Sequence, residues 1–226
     1  MAGINSDAHV TPAGRRGRGR PRTFDLDEIA DAVLLLFWEH GFEATTLEQI
    51  TERTGVKGSS LFAAYGSKRG LFMAAVERYR QHVGARLTAL ADGERGLDDV
   101  LTFVTSLRDE TASARRPLGC LMVNTMVETG KGDEAVLDVI RSYREQLNEA
   151  FRAALTRAVA RGEIPARSVS SRAQVLQASC FGALVIANVT TPAEVAASLD
   201  AMREEVKRWR TAPESPTSGR ATRAPR

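Results

Sequence analysis

Between positions 45 and 68, Thr45, Thr46, Lys57, Ser59, Ser60, Tyr65 and Lys68 place hydroxyls and cations at the ends of two short, apolar-patterned segments. That is the chemistry of phosphate and base-edge contact. Thr45 and Thr46 stand where a helix begins, and exposed backbone amides at a helix start bind anions. Thr46 with Gln49, or Thr45 with Glu48, has the spacing of a capping box. Gly55 and Val56 form a turn, after which Lys57, Ser59 and Ser60 occupy the first turn of a second short helix, the part able to reach base edges in a major groove. Tyr65, at its far end, can offer its hydroxyl to a phosphate, and Lys68 puts a cation at the start of the next helix.

A second basic cluster precedes this stretch. Arg15, Arg16, Arg18, Arg20 and Arg22 fall within eight residues. Arg18-Gly19-Arg20-Pro21 resembles the core of an AT-hook, in which an extended Arg-Pro segment enters a narrow A·T minor groove. The plainer reading is a solvated tail adding nonspecific phosphate attraction. The formal net charge of +3 is too small to argue for nucleic acid alone; these local clusters make the argument.

Catalytic chemistry finds little footing. His9, His40 and His82 are scattered, no His/Cys group has metal-ligand spacing, and the Gly-Arg run at 14–20 lacks the strand and lysine of a phosphate loop. Asp98-Asp99 and Asp109-Glu110 read as solvated helix faces. No metal and no cofactor are expected. Cys120 follows Arg115, Arg116 and Gly119 at a helix start, where cations and the helix dipole lower a thiol's pKa and suit it to meet electrophiles. The competing reading is a small buried apolar group. Cys180 lies in an apolar helix and reads as packing.

The elements that must position these residues are helical throughout. Leu26, Ile29, Ala30, Val33, Leu34, Phe37 and Trp38 keep the i, i+3, i+4, i+7 rhythm of one helix face, and similar stripes recur to Trp209. No alternating stretch with hairpin signals appears. The spacing predicts an all-α chain of about nine helices: a three-helix N-terminal domain over 24–70 and a helical bundle over 71–210. A basic arm (1–23) and a Pro/Ser/Thr/Arg-rich tail (211–226) flank them and read as disordered. With 43% apolar residues, a sizeable core is available. No apolar run approaches the roughly 18 residues a membrane helix needs, and no secretory leader is evident, so a cytoplasmic protein without a membrane partner is expected.

Residues 26–72 resemble the DNA-binding domain of the TetR/AcrR family of transcriptional regulators. The resemblance is carried by Phe42, Thr45, Thr46, Ile50, Gly55, Val56, Lys57, Ser59, Leu61, Phe62, Tyr65, Ser67, Lys68, Leu71 and Phe72, in order and at the right spacing. The alternative is an ordinary pair of packed helices. Two departures stand out: the family often has Gly at the place of Ser60 and Tyr at that of Phe62, so Phe62 lacks a phosphate-binding hydroxyl. The segment Gly119-Cys120-Leu121-Met122-Val123-Asn124 looks like a GCLxVN element of one subgroup. The resemblance implies DNA contacts at Thr45, Thr46, Lys57, Ser59, Ser60, Phe62, Tyr65 and Lys68, to which the AT-hook-like arm adds Arg18 and Arg20. It also implies a four-helix dimer bundle from the last helices, against which stands a monomeric core. Helices over 97–161 would enclose a small-molecule effector, with Phe103, Cys120, Met122, Met126, Tyr143 and Phe151 as candidate lining. The expected function is a ligand-responsive homodimeric regulator, a repressor released from a palindromic double-stranded operator. The alternatives are an activator, a helical enzyme or a small-molecule-binding protein.

Overall fold

The computed structural model describes residues 25–113, 118–129 and 134–210, and these are helical with no strand among them. The arginine arm, including Arg18 and Arg20, lies outside the described residues, as do Arg115 and Arg116. The elements are α1 (Leu26–His40), α2 (Leu47–Thr54), α3 (Gly58–Tyr65), α4 (Lys68–Asp92) and α5 (Leu97–Ser113). There follow α6 (Leu121–Thr129), α7 (Glu134–Ala160), a 3-10 turn (Ala166–Ser168), α8 (Val169–Ile186) and α9 (Pro192–Arg208). Nine helices among the described residues match the expected architecture, though α8 starts earlier and α6 later than the sequence predicts.

Local chemistry sets the boundaries. Asp25 accepts from the amides of Asp27 (2.9 Å) and Glu28 (3.5 Å) to start α1. Of the two capping boxes the spacing allows, the structure forms the one at Thr46: the Gln49 amide donates to Thr46 Oγ1 (3.2 Å), and the Thr46 amide to Gln49 Oε1 (2.7 Å). Gly55 closes α2 in the left-handed conformation (φ 66°) that a side chain disfavours.

The N-terminal helices pack on an aromatic cluster. Phe37 meets Phe72 edge-on at 5.1 Å, and Phe42 sits 4.9 Å from Phe72. Because α4 runs unbroken from Lys68 to Asp92, the first domain and the bundle share one helix. Three further ties join them. Arg78 on α4 donates two hydrogen bonds to Asp31 on α1 (2.5 and 2.7 Å), and its guanidinium holds the Asp31 carboxyl below the usual carboxylate range. Trp38 Nε1 on α1 donates to the Leu118 carbonyl (3.1 Å) just ahead of α6. At the other end of α6, the Glu128 carboxylate accepts from the amides of Phe42 (2.8 Å) and Glu43 (2.5 Å) in the α1–α2 loop.

In the bundle, α5 lies along α9, and α7 packs between α4 and α8. Arg157 on α7 locks the end of α4 by donating to the carbonyls of Leu90 and Ala91, both at 2.6 Å.

Candidate nucleic-acid interface and effector cavity

The α2–turn–α3 unit presents a small exposed face. On α3, Ser59, Phe62 and Ala63 point outward while Leu61 is fully buried, and Lys57 is exposed at its N-terminus with no capping side chain. Ser60 is half-buried. Phe62 keeps 41% of its surface exposed, unusual for a phenylalanine without an apolar partner to cover it. An exposed ring at this place has no hydroxyl for phosphate but suits contact with a thymine methyl. Thr46 is exposed, and its hydroxyl oxygen caps α2.

One expected contact needs correction, and two more have partners within the chain. Thr45 is fully buried, and its hydroxyl donates to the Gly41 carbonyl (2.6 Å), so its side chain joins α1 to α2 and cannot meet a phosphate. The Tyr65 hydroxyl spends its one proton on the Leu26 carbonyl (3.1 Å), at the start of α1. A phosphate can only accept, so Tyr65 would have to release α1 to bind one. Lys68 donates to the Glu43 carbonyl (3.0 Å) and lies 4.8 Å over the Phe42 ring, which ties it to the α1–α2 loop. Two of its three N–H donors remain for other partners.

Behind this unit lies a cavity of about 160 Å³, walled by helices α1, α4, α5, α7 and α8 and by the residues just ahead of α6. Phe103 and Tyr143 line it, as the sequence predicts. The other candidates do not. Phe151 is fully buried behind Phe103, edge-on at 5.3 Å. Met122 packs among Phe72, Val76 and Ile140, and Met126 is exposed on the outer face of α6. The two methionines, four apart, share one face of the short helix but not its cover: Met122 is 1% exposed and Met126, a turn further on, 37%.

Cys120 sits one layer behind the cavity wall, 1% exposed, taking a hydrogen bond from the Tyr79 hydroxyl at 3.1 Å. Burial pushes its thiol pKa up, outweighing the hydrogen bonds from Tyr79 and the α6 backbone that pull it down. The low-pKa thiolate expected from the neighbouring arginines is therefore replaced by a protonated, enclosed thiol. Cys180 is equally buried and pushed up to about 12. Native protein at pH 8 should release less than one thiol equivalent to a disulfide reagent within minutes, and both of its cysteines once unfolded in guanidinium. Reaction of Cys120 at the rate of a small free thiol would overturn this.

Sequence reasoning missed the residues that do most in this cavity. Trp38 belongs to α1, yet it forms part of the wall, edge-on to Tyr79 at 5.0 Å. Arg86 and Phe181 also line it, and Arg86 is hydrogen-bonded to Glu110, with His82 3.5 Å from the same carboxylate. An aromatic inside an N-terminal helix stripe carries no signal that it faces a later helix.

A helix-turn-helix with an outward recognition face, joined by one continuous helix to a bundle with an internal cavity, defines a DNA-binding regulator. Residues 29–75 match the family described as bacterial regulatory proteins, tetR family, and residues 96–202 match the tetracyclin repressor-like C-terminal domain. The chain is 32% identical over 157 residues to the HTH-type transcriptional repressor ComR of Escherichia coli, covering 69% of this chain and 75% of ComR. It is 29% identical over 195 residues to the uncharacterized HTH-type transcriptional regulator YezE of Bacillus subtilis, covering 83% and 95%. Among solved structures it is similar to a cysteine mutant of the TetR family regulator CifR complexed with 26-bp double-strand operator DNA. That likeness has a TM-score of 0.74 at 28% identity and covers 84% of this chain and all of CifR. The chain belongs to the TetR family of transcriptional regulators, and it is a DNA-binding regulator of transcription.

Proposed function

We infer that this chain is a homodimeric repressor whose grip on a palindromic operator is released by a small-molecule effector held in the bundle cavity. The observation that carries the reading is Trp38. This one side chain belongs to the DNA-binding domain, lines the cavity and is hydrogen-bonded to the segment before α6. An effector in the cavity therefore touches the domain whose position it must change.

Dimer formation has its own support. On α8, Val175, Ala178, Ser179, Gly182 and Val185 are exposed at helical spacing, and Val189, in the turn that follows, is 83% exposed. An apolar face of small residues on a helix at the surface calls for a partner helix. Ala193, Ala197 and Ala201 continue it on α9. Two copies joined here would present two recognition helices to successive half-sites. That relatives such as ComR and BdcR are named as repressors favours repression over activation. The GCLxVN element serves in this reading as the joint between cavity and DNA-binding domain. Asn124 donates to the Leu118 carbonyl (2.8 Å) and accepts from Asn188 beyond α8 (2.8 Å).

DNA contact is assigned to Lys57, Ser59, Phe62 and Thr46 on the described unit, with Ser60 at its edge, and to Arg18 and Arg20 in the arm. The test is fluorescence anisotropy against the gene's own upstream DNA between 50 and 200 mM salt. Deleting residues 1–22 should weaken binding and lower the magnitude of the log–log salt slope by about 4, roughly 0.9 for each phosphate relinquished by Arg18 and Arg20 of both copies. An unchanged slope would leave the arm a bystander. Binding no tighter than to unrelated DNA would overturn the regulatory reading.

A further inference from the structure

The cavity's size, lining and hydrogen-bond accounts identify the kind of molecule it holds. At about 160 Å³ it matches the space known to hold one benzene ring. Its walls are apolar, with five aromatics, Trp38, Tyr79, Phe103, Tyr143 and Phe181, set among valine and leucine side chains. Edges and faces of rings on several sides favour a flat, unsaturated guest.

Charge is cancelled within the wall. Arg86, the cation lining the cavity, is paired with Glu110, so a charged ligand would arrive without a partner of its own and lose its hydration. The polar groups of the wall are otherwise largely spent. Thr111 donates to the Leu107 carbonyl in its own helix (2.9 Å), and Tyr79 donates to Cys120. The Leu118 carbonyl already accepts from both Trp38 and Asn124. Tyr143 differs. Its oxygen lies 4.0 Å from the Cys120 thiol, which donates to it, and the phenol's own proton has no acceptor among the described residues. Burial holds that phenol protonated, as burial disfavours phenolate.

We propose that the cavity takes a neutral, single-ring-sized molecule bearing one hydrogen-bond acceptor, such as a carbonyl oxygen, which the Tyr143 hydroxyl binds. This rests on the reading that the cavity is the effector site. Access is from the side: an open groove between α4 and α7 shares Val83, Leu87 and Tyr143 with the cavity, so Tyr143 stands between solvent and guest.

The probes are acetophenone, ethylbenzene and benzoate, which share a ring and differ in acceptor and charge. Binding is followed by calorimetry and by the change in tryptophan emission, Trp38 lining the cavity and Trp209 lying outside it. Acetophenone should bind best, ethylbenzene more weakly and benzoate least. Tyr143→Phe should weaken acetophenone about 3- to 12-fold, the worth of one net hydrogen bond, and leave ethylbenzene unchanged. Ethylbenzene reports the same cavity without the bond, so its retained affinity shows the variant is folded. Benzoate binding more tightly than acetophenone, equal losses for acetophenone and ethylbenzene, or no binding of any probe at millimolar concentration would each overturn the proposal. Operator binding is measured on the same preparation. A chain that binds operator but ignores acetophenone overturns the ligand class alone, and one that binds acetophenone but no operator overturns the regulatory reading alone.

Discussion

Gly119→Ala is expected to cost about 2–5 kcal/mol of stability and to lower the unfolding midpoint by roughly 5–15 °C. Two effects add. Gly119 has φ 67°, a conformation in which a Cβ crowds the following carbonyl and costs roughly 1–2 kcal/mol. A Cβ built there would also stand 2.3 Å from the Leu184 carbonyl oxygen, which belongs to the backbone of α8 and cannot rotate away. The start of α6 or the C-terminal end of α8 must move, and both border the cavity. Gly55→Ala calibrates the argument. Its φ is 66°, but a Cβ there meets nothing within 4 Å, so only the backbone term of roughly 1–2 kcal/mol applies. Thermal and urea unfolding of the two variants would measure the difference. Equal losses would mean that α6 does not press on α8 as closely as the structure places it.

The contrast between these glycines mirrors what was legible in the sequence. Gly55 sits between two short amphipathic segments, and its turn role follows from local pattern alone. So do a capping box at Thr45 or Thr46, the outward Lys57 and Ser59, and the buried Leu61, because each is decided by residues within one or two turns. The helical stripes also gave the architecture, since each needed only its own periodicity.

Most of what failed was decided by partners far away in the chain. Thr45 is the local exception: it and Thr46 are indistinguishable as hydroxyl donors, and the loop's return onto Gly41, four residues back, turns the first inward. Tyr65 and Lys68 look free at the end of a short helix, but the start of α1 and the α1–α2 loop pack against them. The cavity is the extreme case. Five helices give between one and four side chains each, so no window of sequence contains it. The sequence placed it in the helices from 97 to 161, whereas Trp38, Tyr79 and Phe181 come from outside that span. Cys120 was left with two readings for a related reason: its sequence neighbours speak of charge, and its burial is set by other helices.

Glu128 is the least legible residue and carries the second large effect. It is an exposed glutamate near the end of a short helix, with nothing in its surroundings in sequence to mark it. Its two oxygens accept separate backbone amides, Phe42 and Glu43, in the loop that aims α2 and α3. Glu128→Ala should cost that loop about 1–2 kcal/mol, which is roughly a 5- to 30-fold loss of hydrogen-exchange protection at those two amides. Glu128→Gln should fall between, because its carbonyl keeps one acceptor while its NH₂ faces a second donor. The Asp31–Arg78 and Trp38–Leu118 ties keep the domain attached in both variants. Operator binding should therefore survive while the effector's influence on it shrinks, since α6 would no longer report the cavity to the loop at both of its ends. By linkage, DNA would then weaken effector binding by the same smaller factor. Because this tie is charged and exposed and the Leu118 tie is neutral, raising salt on the native protein should mimic Glu128→Ala in part. Unaltered exchange at Phe42 and Glu43, with a full effector response, would show that α6 transmits through Trp38 alone.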